Sequence, residues 1–145
     1  MPDHAIGDAQ RPLYEIKASL FKGLAHPLRI RILEILSAAS ADTSNAGLVE
    51  VSVTTLLAET RLEASHLSQH LSVLRRYRLV RSERRGSVVY YHLAFPEVAD
   101  LLRTARLLLA QILATDSSQL TLTYDLPHLD GARTVATPLR HRGRK

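Results

Sequence analysis

Ser65, Ser68, Gln69, Ser72 and Arg76 recur at the spacing that brings residues onto one face of an α-helix. Leu67, Leu71 and Leu74 fall on the opposite side, with His70 at their edge. The polar stripe is short-chained, rich in hydrogen-bonding groups and free of acid. A helix face that only meets water usually carries Glu and Lys. Short side chains let the helix backbone approach a groove closely. Gln can bond bidentately to adenine, and Ser can bond to a base edge or a phosphate. His66, at the exposed side of the same segment, could also touch DNA. The chemistry on offer is hydrogen-bond recognition of a duplex.

Directly after this helix the period changes. Residues 79–83 and 87–93 are rich in β-branched and aromatic side chains, as strands prefer. Arg84, Arg85 and Gly86 stand between them, which predicts a hairpin with a basic tip. Gly supplies the positive φ that a tight hairpin turn needs. Arginines at a tip are suited to phosphates or to a narrow minor groove, where negative potential is enhanced.

Charge supports the same chemistry. The chain has 145 residues and a formal net charge of +5. Residues 61–85 hold seven arginines and two acids, and the last six residues add four positive charges. The remaining segments, 1–60 and 86–139, are each net negative. The basic charge therefore sits on the helix-hairpin unit and the extreme C-terminus. Such a patch favours polyanions through counterion release. The absence of cysteine excludes disulfides, thiolate metal sites and a thiol nucleophile. No apolar run approaches a membrane span. The first residues lack the basic start and apolar core of a signal peptide. A cytoplasmic location is expected. No Ser/His/Asp order, phosphate-binding loop or paired-carboxylate setting emerges, so no enzyme is expected.

The elements that must hold the stripe and hairpin follow from periodicity. Residues 1–10 read as a flexible N-terminus. Leu13, Ile16, Leu20, Phe21 and Leu24 predict a first helix. Pro27 suits the first position of a second helix, whose buried side would comprise Leu28, Ile32, Ile35 and Leu36. Residues 37–47 read as a loop. Residues 49–53 alternate as a short strand, or Ser52 caps a short helix running to Thr60. A turn at Arg61 and Leu62 leads into the polar-faced helix. Pro96 opens a last helix, broadly apolar through Val98, Leu101, Leu102, Ala105, Leu107, Leu108, Leu109, Ile112 and Leu113. So much apolar surface on a terminal helix is most simply buried against a second copy. Residues 11–114 form the expected domain, mainly α with a small β-hairpin. Residues 115–145 read as a flexible basic tail, in which residues 120–124 alternate enough to add a strand.

The order of these elements is that of a winged helix-turn-helix. LAHPLRIRIL (24–33), HLSQHLSVLRRYRLV (66–80) and RSERRGSVVYYHL (81–93) resemble the ArsR/SmtB family of bacterial repressors. The resemblance covers roughly residues 13–114. It implies a homodimer joined through its first and last helices, with Leu13, Ile16, Leu101, Leu108, Leu109 and Ile112 as candidate contacts. It also implies a near-palindromic DNA operator, often released when an effector binds. Ser65, His66, Ser68, Gln69, Ser72, Arg76, Arg84 and Arg85 are the candidate DNA contacts.

The family's sensing residues carry over poorly. Many members place a cysteine pair at the start of the third helix, where this chain reads Val49-Glu50-Val51-Ser52-Val53. Others bind metal through Asp and His of the last helix, which here offers Glu97 and Asp100 but no His. Glu63 stands where a Ser or Thr cap is usual, although a carboxylate there still favours the helix dipole. His70 resembles a position often His in the family and suggests packing or phosphate bonding. His92 ends the second hairpin strand, while His4, His128 and His141 fall in the tails. With Asp3, Glu97, Asp100, Asp116 or Asp125, histidines could assemble a metal site of N and O ligands, although no spacing demands one. A winged helix that binds a separate sensor protein is the alternative reading.

Overall fold

A computed structural model describes residues 11–41 and 49–115. Helix α1 spans Leu13–Leu24. The Pro12 carbonyl accepts the first amides, from Glu15 and Ile16, at 3.0 and 3.3 Å. Helix α2, Pro27–Ala41, starts at its proline as the sequence predicts. The Leu28 amide donates to His26 Nδ1 at 3.1 Å, so the imidazole takes the capping place that Ser or Asp often fills. Arg29 reaches back from α2. Its Nε donates to the Gly23 carbonyl at 2.6 Å and its Nη2 to that of Lys22 at 3.1 Å. It thereby satisfies acceptors that the end of α1 leaves open.

Two expectations for α2 are corrected. The helix continues to Ala41 where a loop from residue 37 is expected. Ala38, Ala39 and Ala41 are strong helix formers, and Ser40 Oγ bonds back to the Leu36 carbonyl at 3.0 Å. The rest of that expected loop, residues 42–47, lies outside the described residues, as do residues 1–10 and 116–145, including the strand expected at 120–124. The buried side of α2 is Ile32, Leu33 and Leu36, while Leu28 and Ile35 are half-buried. Because α2 touches α3, α4 and β3, it buries more than one narrow stripe.

Both readings of the next segment hold together. Strand β1 is Val51–Ser52 and helix α3 is Val53–Thr60. Ser52 ends the strand and caps the helix, its Oγ accepting the Thr55 amide at 3.1 Å. Helix α3 closes on Arg61 in the left-handed region, φ 55°. Extended Glu63 then precedes helix α4, Ala64–Arg76, and makes no side-chain capping bond.

That missing bond yields a prediction. Glu63→Ser is expected to stabilise the fold by about 0.5–1 kcal/mol by satisfying an orphan amide. Urea unfolding would show a higher midpoint with an unchanged slope. An unchanged midpoint would mean that the carboxylate already compensates through the helix dipole.

Residues 77–79 join α4 to the hairpin. Strands β2, Val80–Arg85, and β3, Val88–Leu93, pair antiparallel from Val80↔Leu93 to Arg85↔Val88. β1 pairs with the other edge of β3, giving the order β1-β3-β2. The turn is therefore Gly86–Ser87, and Arg84 and Arg85 belong to β2 rather than to the turn expected for them. Gly86 has φ 62° and Ser87 does not share a positive φ, the pattern of a two-residue turn with Gly first. This compact connection lets the ladder run two residues further than predicted.

Helix α5 spans Pro96–Ala114. The chain falls into two units, Met1–Arg106 and Leu107–Lys145. In the first, the core gathers Leu24, Ile32, Leu33, Leu36, Leu56, Leu67, Leu71, Leu74, Tyr77, Leu93 and Val98, with Leu101 and Leu102 packed at its edge. Of the apolar set on α1, Leu24 alone is buried. Ile16 and Leu20 are half-buried, while Leu13 (65%) and Phe21 (55%) stay exposed. In the second unit, Leu107, Leu108, Leu109 and Ile112 are exposed. Among the described residues, no helix is long and apolar enough to cross a membrane.

Candidate nucleic-acid interface

Helices α3 and α4 and the left-handed turn at Arg61 form a helix-turn-helix. Leu67, Leu71 and Leu74 anchor α4 in the core. Ser65, His66, Ser68, Gln69, Ser72 and Arg76 are all exposed. The helical period thus separates anchoring from recognition: the leucines fix the orientation and the stripe faces outward. Among the described residues, the side chains of Ser65, Ser68, Gln69 and Ser72 make no hydrogen bond, so their donors and acceptors remain available. Arg76 lies over the Tyr77 ring at 5.8 Å, which steadies the end of the stripe.

The wing divides its arginines. Successive strand residues point to opposite faces. Arg84 shares a face with Val80 and with Tyr91 of β3, both buried. Its Nε donates to the Gly86 carbonyl at 3.4 Å. Arg85 shares the other face with Tyr90, and its guanidinium lies 4.3 Å from that ring centroid. It also pairs with Glu50, just before β1. Arg81, on the same face as Arg85, stacks over Phe95 at 5.5 Å. Sequence reasoning places Arg84 and Arg85 together at a tip and misses Glu50 and Tyr90. Alternation within β2 could separate the arginines, but no local spacing links residue 85 to residue 50. The sheet order does so.

A second cluster lies beside the stripe. The rings of His26 and His70 are 4.5 Å apart and tilted by 48°. Burial, reinforced by His26, Arg29 and His66, lowers the His70 pKa below the usual 6.5. Well above pH 6.5, His70 is uncharged whether the chain is folded or not, and its titration contributes nothing. As pH falls through 6.5, the unfolded chain takes up a proton that the folded one resists. Stability therefore declines, levelling off below the folded pKa. His70→Gln is expected to flatten the fall in Tm between about pH 7.5 and about pH 5.5. Equal slopes for variant and wild type would remove His70 from that dependence.

Of the side chains that could supply N and O metal ligands, His4, His128, His141, Asp3, Asp116 and Asp125 lie outside the described residues. Among the described residues, no group of three or more His, Asp or Glu side chains is placed to hold a metal ion. Asp100 is paired with Arg103 at 2.9 Å. His92 lies opposite Arg81, with a buried Nδ1 that lacks a hydrogen-bond partner.

A polar-faced helix held by a leucine core, followed by a basic wing, defines a DNA-binding module of the winged helix-turn-helix class. The chain belongs to the helix-turn-helix transcriptional regulators. It is 46% identical over 103 residues to the regulator Rv0081 of Mycobacterium tuberculosis, covering 71% of this chain and 82% of that protein. The crystal structure of Rv0081 matches with a TM-score of 0.61 and 44% identity, over 73% of this chain and 97% of that one. The transcriptional repressor BigR from Xylella fastidiosa matches with a TM-score of 0.55 and 26% identity, over 66% of this chain and 87% of that one. No protein-family model matches the chain. These similar proteins are named as transcriptional regulators.

Proposed function

We propose that this protein is a homodimeric repressor of the ArsR/SmtB type that reads a near-palindromic operator. The exposed, acid-free stripe on α4 carries the reading. Gln69, with Ser65, Ser68 and Ser72, approaches base edges, while His66, Arg76 and Arg84 meet bases or phosphates. Arg85 contributes from the wing. The three quoted motifs support the family assignment, and the repressor role described for BigR supports the direction of regulation.

The dimer joins α1 and α5 of each copy, through Leu13, Ile16, Leu101, Leu108, Leu109 and Ile112. Exposure of Leu13 on one unit and of Leu108, Leu109 and Ile112 on the other supports this, because large apolar side chains left in water are costly. The operator would then carry two half-sites related by the dimer's two-fold axis. An effector or a sensor partner would tune its release, without the family's cysteine ligands.

The test is a footprint on the DNA upstream of the protein's own gene, repeated with a metal panel and with a chelator. Protection of two related half-sites is expected. No protection of any upstream sequence would overturn the reading. Protection unaffected by metals and chelator would exclude direct metal sensing.

A further inference from the structure

The Arg85 guanidinium does not extend past the wing tip. The register places Val51 opposite Tyr91 and Ser52 opposite Tyr90, so β1 lies beyond β3 as seen from Arg85. The arginine crosses Tyr90, with its guanidinium 4.3 Å from the ring centroid, and ends on Glu50. Glu50 is the more enclosed partner, its side chain 25% exposed against 53% for Arg85. The charged edge of the wing is thus engaged by an acid from outside the basic segment, and within this pair the two charges cancel.

We propose that Glu50 restrains the wing: it holds Arg85 over Tyr90 and competes with the DNA phosphate for that guanidinium. The inference rests on the DNA-binding reading. A carboxylate and a phosphate make the same demand on a guanidinium, namely charge-assisted hydrogen bonds along one planar edge. When DNA claims Arg85, Glu50 loses its partner and faces a phosphate of like charge. A neutralised arginine also releases no counterion, so the wing adds less to the salt dependence of binding than its arginines imply. Glu50 therefore sets how much of the affinity comes from the wing, which contacts backbone, and how much from α4, which reads bases.

Glu50→Gln keeps the shape and removes the charge. Binding is measured on the footprinted site and on a random duplex across a salt series. The variant is expected to bind both duplexes about two- to fivefold more tightly at low salt, the scale of one exposed ion pair. The slope of log affinity against log salt should steepen by about one unit. Both gains should vanish when Arg85→Ala is added. No gain, or a gain that survives Arg85→Ala, overturns the proposal. A wild-type chain that binds no duplex overturns instead the reading on which it rests. If Glu50→Gln does not fold, nitrogen NMR of the wild-type arginine side chains supplies the decision. A slowly rotating guanidinium that disappears in Arg85→Ala supports the restraint, and a freely averaged Arg85 signal overturns it.

Discussion

Gln69→Ala is expected to erase most of the preference for one base pair in each half-site while leaving affinity for random duplex unchanged. Gln69 is exposed in the middle of the α4 stripe, where its amide makes no hydrogen bond within the described residues. A bidentate amide-to-adenine pair is worth about 1–3 kcal/mol of discrimination, or about five- to 150-fold in relative affinity. The side chain is neutral, so the salt slope should not change. Arg76→Ala provides the contrast: binding weakens on every sequence and the slope flattens by about one unit. A selection of binding sites from random duplexes, run with both variants, measures the difference. Equal loss on operator and random DNA for Gln69→Ala would remove Gln69 from base reading.

Gly23→Ala is expected to destabilise the fold, although alanine is the better helix former. A Cβ at Gly23 would lie 2.6 Å from Tyr77 Cγ, 2.9 Å from Cδ2 and 3.0 Å from Cδ1. Tyr77 is itself buried, at 6% exposure, so the ring has little room to retreat. Overpacking of this kind costs about 1–3 kcal/mol, and Ala's better helix propensity recovers under about 1 kcal/mol near a helix end. A net loss of about 1–2 kcal/mol should lower Tm by roughly 5–15 °C for a domain of this size. The ring is the stated cause, so Gly23→Ala should cost less in a Tyr77→Leu background, and a double-mutant cycle would expose the coupling. Additive effects would show that the ring is not responsible.

Much of the scaffold could be read before the structure was known. Leu67, Leu71 and Leu74 mark the buried face of α4 because the helical period is short enough to show itself within thirteen residues. Ser52 and Pro27 mark helix starts because capping and fixed φ act locally. Where local signals compete, the reading slips. Ala and Ser in residues 38–41 fit both a loop and a helix end, and packing by α2 decides for the helix. Arg84 and Arg85 look like turn residues because Gly86 follows, yet a two-residue turn suffices and both enter the strand. The pairings Gly23–Tyr77, His26–His70 and Glu50–Arg85 join residues more than thirty positions apart. Composition carries no trace of such partners, which arise only when the sheet order and the crossing of helices are fixed.

The short connection after α4 has a consequence for regulation. Its amides are tied at each step: Tyr77 to Val73 at 3.1 Å, Arg78 to Arg75 at 2.9 Å and Leu79 to Leu74 at 3.0 Å. The Leu79 carbonyl then accepts from Ala94, at the far end of β3, at 2.9 Å. Arg78 turns the chain in the left-handed region, φ 57°. Helix and wing are thereby joined as the two jaws of one tool, with backbone hydrogen bonds setting the gauge between them. For the proposed regulator, a signal that loosened one jaw would have to break those backbone bonds. In the proposed homodimer, the signal would act instead on how the tools of two copies are set against each other.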